Sequence, residues 1–381
     1  MHRSRAASSD LVQFFRKLDY LQLAVSGLLL AIGVVFIRSI GVQIGSPGAL
    51  AYFSRQLTWI TVGMAAYLFF AVIDYRRIQY RIAALVMYLV CLILLLVVLV
   101  WGKEVNNATR WLLIGGIRVQ PSEPAKFAVI AVLAGLLASN SWKSKRWQTF
   151  LLSIAAVGVP YILIAKEPDL GSALMLLPIY FSMLFVAGIK WRYVVIGFVG
   201  LLLVGIIGFI DYSREKPVLL RKYQRDRIRI FLDPKHDIQN RGHQPYQARL
   251  GVGSGGWSGK GIGRGTQNVL GFLPQMAAHN DFIFSVIAEE TGFCGVAALL
   301  LLYAILLYTI LRTAFFAPPY GRLLAVGTAI MFFFHIFINI GMSIGVAPVS
   351  GLSLPLVSYG GSFIVITMAM LGLMQSIRTH H

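Results

Sequence analysis

Charge is scarce in this chain, and negative charge scarcest. Of 381 residues, 13% are Asp, Glu, Lys or Arg, where a soluble domain carries about a quarter. That deficit excludes a soluble globular enzyme and a disordered chain. Cysteine is nearly absent too. Cys91 and Cys294 both sit in apolar surroundings, which excludes a disulfide scaffold or a cysteine metal framework. There is no convincing P-loop and no His/Cys cluster with zinc spacing. The glycines at 251–263 lack the strand–turn–helix context of a nucleotide site. No internal repeat stands out, so an inverted-repeat transporter gains no direct support. A cleavable signal peptide is not evident: Arg3, Arg5, Arg16 and Lys17 lead into an apolar run too long for a signal core.

What the chain does have is apolar residue, 57% of the total, gathered in runs long enough to cross a bilayer as helix. The expected fold is an all-α polytopic membrane protein, one transmembrane domain over 1–381. About ten helices would use roughly 200 residues, near 20–40, 56–74, 82–101, 122–140, 148–165, 171–188, 193–211, 282–312, 322–342 and 356–376. The 34 basic against 15 acidic residues give a net charge of +19. Nucleic acid is not needed to explain it, because basic loops follow the positive-inside rule beside anionic lipid. The cations Arg76, Arg77, Arg81, Lys143, Lys145, Arg146, Lys190, Arg192, Arg312, Arg322 and Arg378 fall on one side, with the basic N-terminus. The other short loops carry fewer, chiefly Arg55, Lys103, Arg110, Arg118 and Lys166. Both termini are therefore expected in the cytoplasm.

One outer loop, 212–280, is long and hydrophilic and lies between the seventh and eighth helices. From Ser213 to Asn280 it holds twelve Lys or Arg and four Asp or Glu. Its second half is glycine-rich around Gly251–Gly261. Such a loop is either functional or solvated and mobile.

Ionisable residues at membrane depth default to functional hypotheses. At the outer start of the fourth helix, Gln120-Pro121-Ser122-Glu123-Pro124-Ala125-Lys126 puts Glu123 and Lys126 three apart on one face, able to pair. That pair could serve substrate or structure alone. Lys166-Glu167-Pro168-Asp169-Leu170-Gly171-Ser172 reads as a tight outer turn, mostly structural, whose charges could simply be solvated. Asp281 stands where the long loop meets the eighth helix. It could be an N-cap, or a carboxylate desolvated at the membrane edge and suited to general-base work. Glu289 or Glu290, two turns further on, is expected to face protein interior in a structural role. Pro348, Pro355 and Gly360-Gly361 break helical backbone at membrane depth, which is tolerated only against protein or a wet cavity. His335, one turn from Asn339, is expected to be a buried, hydrogen-bonded histidine.

Together these motifs resemble the SEDS family (shape, elongation, division, sporulation). The carriers are Thr109-Arg110-Trp111-Leu112, then Gln120-Pro121-Ser122-Glu123 with Lys126, then Pro168-Asp169-Leu170-Gly171. The last is Asn339, Gly345, Pro348 and Gly351 with Ser358-Tyr359-Gly360-Gly361-Ser362. The resemblance runs through nearly the whole chain. Gly265-Thr266-Gln267 and Arg229-Ile230-Phe231-Leu232-Asp233-Pro234 look more like the RodA branch than FtsW. The segment before the eighth helix departs from the family pattern. Gln275 stands for a usual Glu, Asn280 for a usual Thr, and the segment is slightly longer, while Asp281-Phe282-Ile283-Phe284 keeps the register.

The resemblance implies a peptidoglycan glycosyltransferase in the bacterial cytoplasmic membrane, with its active site on the outer face, acting in cell elongation. It would join lipid II disaccharides by an inverting transfer and release undecaprenyl diphosphate. Asp281 would be the base. Arg110 and Lys126 would meet the anionic leaving group, Glu123 would orient Lys126, and Lys166 and Asp169 would support them. Lys260, Gln267 and Ser358 are further substrate-binding candidates in the outer motifs. No cofactor is evident, although a divalent cation (Mg2+ or Mn2+) could arrive with the diphosphate. Implied partners are undecaprenyl-linked glycan, a class B penicillin-binding protein, other elongation-complex proteins and membrane lipid, with no nucleic acid. The rival readings are a lipid II flippase or secondary transporter, a non-catalytic scaffold, and the FtsW-like division paralogue.

Overall fold

A computed structural model describes residues 16–45, 47–79, 81–105, 108–114, 117–139, 146–214, 222–233, 237, 242–272 and 275–380. Each of the ten expected segments contains a helix, the tenth starting at Gly361 and not at 356. They are α1 (Tyr20–Ile44), α2 (Pro47–Val72), α3 (Arg81–Trp101), α4 (Ser122–Leu137), α5 (Arg146–Lys166), α6 (Leu170–Val186), α7 (Trp191–Tyr212), α10 (Ile283–Phe316), α11 (Pro319–Ile344) and α12 (Gly361–Thr379). Two longer helices, α8 (Lys222–Leu232) and α9 (His243–Ser254), and two short ones, Thr266–Val269 and Gln275–His279, lie between α7 and α10. Six of the twelve longer helices, namely α1, α3, α5, α10, α11 and α12, are long and apolar enough to cross a membrane. This is the arrangement of a multi-pass membrane protein. Of the orienting cations, Lys143 and Lys145 and the N-terminal Arg3 and Arg5 lie outside the described residues.

Local chemistry sets the helix ends. Asp19 caps α1 by accepting from the Gln22 amide at 3.2 Å, and Asp169 caps α6 through the Ser172 amide at 3.3 Å. α1 and α11 stop at Gly45 and Gly345, both left-handed, the conformation that glycine alone adopts without strain. α12 and α11 are the most enclosed of the six spanning helices. The large side chains left bare, among them Leu85, Leu89, Ile93 and Leu96 of α3, form a lipid-facing surface. α12 packs most extensively on α2, and α11 on α10, α6 and α4. Gly372 permits the α12–α2 approach, since a Cβ there would stand 2.2 Å from the Tyr67 carbonyl oxygen.

Three features differ from the sequence expectation. First, α10 is not one straight helix. Its 34 residues would measure about 50 Å, well beyond the ~30 Å hydrocarbon layer. The chain breaks at Gly292, with φ 64° and ψ −163°, into a buried stub from Ile283 and a longer arm from Phe293. The glycine loop fills the break: Phe293 N donates to Gly256 O at 2.8 Å and Cys294 N to Trp257 O at 3.1 Å. Second, the stretch after α3 is not plain loop. It folds as an antiparallel meander of β1 (Lys103–Val105), β2 (Ala108–Ile114) and β3 (Ile117–Val119), with Leu112 opposite Val119. Third, the second half of the long loop is partly packed, although Trp257, Ile262, Val269 and Leu270 stay exposed. α9 lies on α10 and α11, with Ala248 and Gly251 buried.

Candidate active site

The segment leading into α10 is pinned by three consecutive backbone carbonyls. Tyr359 N donates to the His279 carbonyl at 2.9 Å. Ser358 Oγ donates to the Asn280 carbonyl at 2.6 Å. Asn339 Nδ2 donates to the Asp281 carbonyl at 3.0 Å and also reaches the Leu352 carbonyl at 2.7 Å. The His279 ring stacks on Tyr52 of α2 with centroids 4.6 Å apart. The donors come from α11 and from the irregular 348–360 segment, which explains why that segment abandons helix. Its bends bring a hydroxyl and an amide to face one strand of backbone.

The Asp281 side chain stays free of this clamp. It is part-exposed, and no hydrogen bond engages its carboxylate among the described residues. Gly351, in the left-handed region at φ 76°, lies alongside; a Cβ there would stand 3.8 Å from Asp281 Oδ2. Crowding by protein raises the Asp281 pKa to about 6, against the pull of Arg110 and Arg227 and with a smaller push from Asp169. A carboxylate poised near the working pH, accessible and unpaired, is what a general base requires.

Arg110 sits on β2. It reaches Asp169 at 3.8 Å and donates to the Pro168 carbonyl, so the meander is docked on the turn between α5 and α6. Gln120 Nε2 donates to Asp169 Oδ2 at 3.1 Å. Two of the turn's charges are not solvated: Glu167 is 0% and Asp169 3% exposed. Arg110 of β2 and Gln120 reach the turn from another loop. Among the described residues neither Glu167 oxygen finds a hydrogen-bond partner, and burial raises its pKa to about 8, with Asp169 adding and Arg110 opposing. Lys166, by contrast, is exposed at the end of α5.

Lys126 is fully enclosed. Its Nζ lies 2.9 Å from Glu123 Oε1 and 2.9 Å from His335 Nε2. An ammonium has only donors, so Nε2 accepts, and Nδ1 donates to the Ser353 carbonyl at 3.0 Å. His335 is thus a neutral, hydrogen-bonded core histidine, as its sequence position suggested. The Glu123–Lys126–His335 chain reaches, through the Ser353 carbonyl, the same irregular segment that holds Asp281.

Lys260 and Gln267 belong to a different cluster. Glu289 accepts from Lys260 Nζ at 2.7 Å and from the Thr266 amide and hydroxyl, both at 2.8 Å. The Gln267 amide adds a longer bond of 3.3 Å. Glu290 accepts from Ser39 Oγ at 2.8 Å and from the Gly263 amide at 3.0 Å. These buried carboxylates stitch the glycine loop onto the stub of α10. Ser358 is 0% exposed and spent on backbone, so it positions Asn280 and Asp281.

Arg227 on α8, which acts on Asp281 electrostatically, escaped sequence reasoning. Its only signal was membership of the basic run from Lys222 to Arg229.

Comparison with known proteins adds identity to this geometry. The family model for the cell cycle proteins FtsW, RodA and SpoVE matches residues 19–381. The chain is 35% identical over 363 residues to peptidoglycan glycosyltransferase MrdB of Escherichia coli K12, covering 95% of each. A solved structure concerned with coordination of polymerization and crosslinking by a peptidoglycan synthase complex superimposes with TM-score 0.77 at 31% identity, covering 95% of this chain and 97% of that one. The crystal structure of the rod-shape-determining protein RodA of Thermus thermophilus gives TM-score 0.67 at 29% identity, covering 95% and 96%.

Proposed function

The chain belongs to the FtsW/RodA/SpoVE (SEDS) family, and on that basis we propose that it is a peptidoglycan glycosyltransferase that polymerises lipid II during cell elongation. The observation that carries the mechanism is the unpaired, part-exposed Asp281 carboxylate, with its pKa raised to about 6 beside Arg110 and Arg227. The donor is the sugar at the lipid end of the growing strand, and the acceptor is a hydroxyl of a second lipid II. Asp281 takes the acceptor's proton as its oxygen bonds to the donor's anomeric carbon. The bond from that carbon to the diphosphate oxygen breaks, and undecaprenyl diphosphate departs. One inversion turns an α linkage into a β linkage. No second acid is required, because a diphosphate leaves unprotonated.

The leaving group does need positive charge arranged before it forms. Arg110 and Arg227 supply it in this reading, because both already act on the Asp281 carboxylate. Lys126 acts through His335 and the 348–358 segment. A divalent cation would enter on the substrate's own diphosphate, so this account includes no protein cage for it. The Asp281 end of the bundle faces outward and both chain termini face the cytoplasm, an orientation supported by the placement of the cations.

For the partner we propose a transpeptidase of the class B penicillin-binding type, as the synthase-complex relative suggests. The test is glycan formation from labelled lipid II by the purified chain with its cognate transpeptidase. Polymer that depends on Asp281 supports the assignment. Lipid translocation without polymer would favour a flippase.

A further inference from the structure

The opposite end of the bundle carries a second charged concavity, one for which the glycosyl transfer has no use. Arg16, Lys17, Arg312, Thr313, Phe316 and Arg378 line a pocket of about 330 Å³. It lies where α1 begins and where α10 and α12 end. Along α12 that is some 27 Å from the Asp281 end, at 1.5 Å per residue.

Arg16, Lys17 and Arg312 are exposed, and the backbone that carries Arg16, Lys17 and Arg378 is held in place by buried side chains. The Asp19 amide donates to Gln375 Oε1 at 2.8 Å, and Gln375 Nε2 returns a bond to the Asp19 carbonyl at 3.1 Å. Gln22 Nε2 donates to the Leu371 carbonyl at 3.1 Å. These side chains are buried, and they fasten the chain's entry into α1 to the last turns of α12. Arg378 completes the fastening by pairing with Asp19 and donating to the Lys17 carbonyl at 3.2 Å. Arg16 and Lys17 are thereby held beside Arg378, while Arg312 faces them from α10.

Charge is left over. Among the described residues the carboxylate at this place is Asp19, and Arg378 is its partner. Arg16, Lys17 and Arg312 then converge with no carboxylate of their own in the lining. Like charges brought together in a concavity repel, and the arrangement is stable where an anion sits among them. The apolar side of the pocket says what kind of anion. Phe316 lies one turn beyond Arg312 on the same face of α10 and is 63% exposed, and Phe315 is 77% exposed. Bare phenylalanine rings next to cations at a helix end suit the boundary between acyl chains and headgroups. Basic pockets between helix ends at that level suit phospholipid headgroups.

We propose that this pocket binds the phosphate headgroup of an anionic glycerophospholipid, with its acyl chains descending past Phe316. The shared chemistry is a phosphate among cations, so the test separates lipid from free phosphate.

The full chain, purified in neutral detergent, is titrated with phosphatidylglycerol, with phosphatidylcholine of the same acyl chains, and with inorganic phosphate. Bound lipid is counted by native mass spectrometry and stability is read as Tm. The expected result is a retained phosphatidylglycerol and a Tm rise that neither phosphatidylcholine nor phosphate reproduces. Arg16→Gln/Lys17→Gln/Arg312→Gln should weaken retention by about tenfold or more. Lys190→Gln/Arg192→Gln, which removes exposed charge from the same end away from the pocket, should leave retention unchanged. If the triple variant does not fold, Arg312→Gln alone carries the test, with a partial loss expected. Equal retention by the pocket variants would overturn the proposal. So would equal loss in the control, or an equal Tm rise with inorganic phosphate.

Discussion

Asn339 and Asp281, 58 positions apart, are joined by a 3.0 Å hydrogen bond from the side-chain amide of one to the main-chain carbonyl of the other. With Ser358 on the preceding carbonyl, Asn339 fixes the backbone of Asp281 and leaves its carboxylate unengaged. Precision in a base matters because a displacement of about 1 Å can cost about 100-fold in rate. Asn339→Ala and Ser358→Ala should therefore lower kcat by about 10- to 100-fold with little change in KM. Each carbonyl left unsatisfied costs about 1–3 kcal/mol of stability. Steady-state polymerisation beside a Tm measurement checks this. A fall in Tm large enough to account for the lost rate would make the role merely structural.

The pH profile should follow the charges around Asp281. Polymerisation by the wild type should rise with pH, half-maximal at about 6, as the base loses its proton. Arg110 and Arg227 both lower the Asp281 pKa. Arg110→Ala or Arg227→Ala should thus move the midpoint of the residual activity upward. Asp169 raises it, so Asp169→Asn should move the midpoint down. Rates measured across the range for each variant decide the matter, and shifts of the opposite sign would contradict the placement of these groups.

Glu167 should make the fold sensitive to alkali. Its folded pKa is raised from 4.5 to about 8, so between those values the folded chain holds a proton that the unfolded chain has released. Stability then falls as pH rises through that window. Tm in detergent should decline from mildly acid to mildly alkaline pH. Glu167→Gln, which keeps the shape without the ionisation, should flatten that decline.

Gly292 should be irreplaceable. Its φ of 64° with ψ of −163° is open to glycine alone, and a Cβ would stand 2.4 Å from the Gly259 amide nitrogen. Gly292→Ala should cost about 2 kcal/mol or more and release the glycine loop from α10. Faster proteolysis between 255 and 265, with a lowered Tm, is the readout.

These predictions rest on a structure only partly legible in the sequence. The helices were readable because apolar runs at bilayer length leave few alternatives, and Asp281 because its position at a helix start stood out. The Gly292 break was not, since a single glycine in an apolar run is also tolerated in continuous helix. The meander at 103–119 was hidden because its short strands carry little period-two pattern. Ser358 and Lys126 were read as substrate-facing from their chemistry. Their hydrogen-bond partners come from segments remote in sequence, and only the fold shows both side chains enclosed. The burial of Glu167 was not legible either, since the side chains that reach its turn, Arg110 and Gln120, come from another loop.

The account stands most directly on one measurement: glycan polymer formed from labelled lipid II by the folded, partner-bound chain, wild type against Asp281→Asn. The substitution keeps the size of the side chain and removes its basicity, while the clamp on its backbone is untouched. The account predicts polymer from the wild type and none from the variant, with both equally folded. Equal polymer from the two would contradict it, and the base would have to be sought elsewhere.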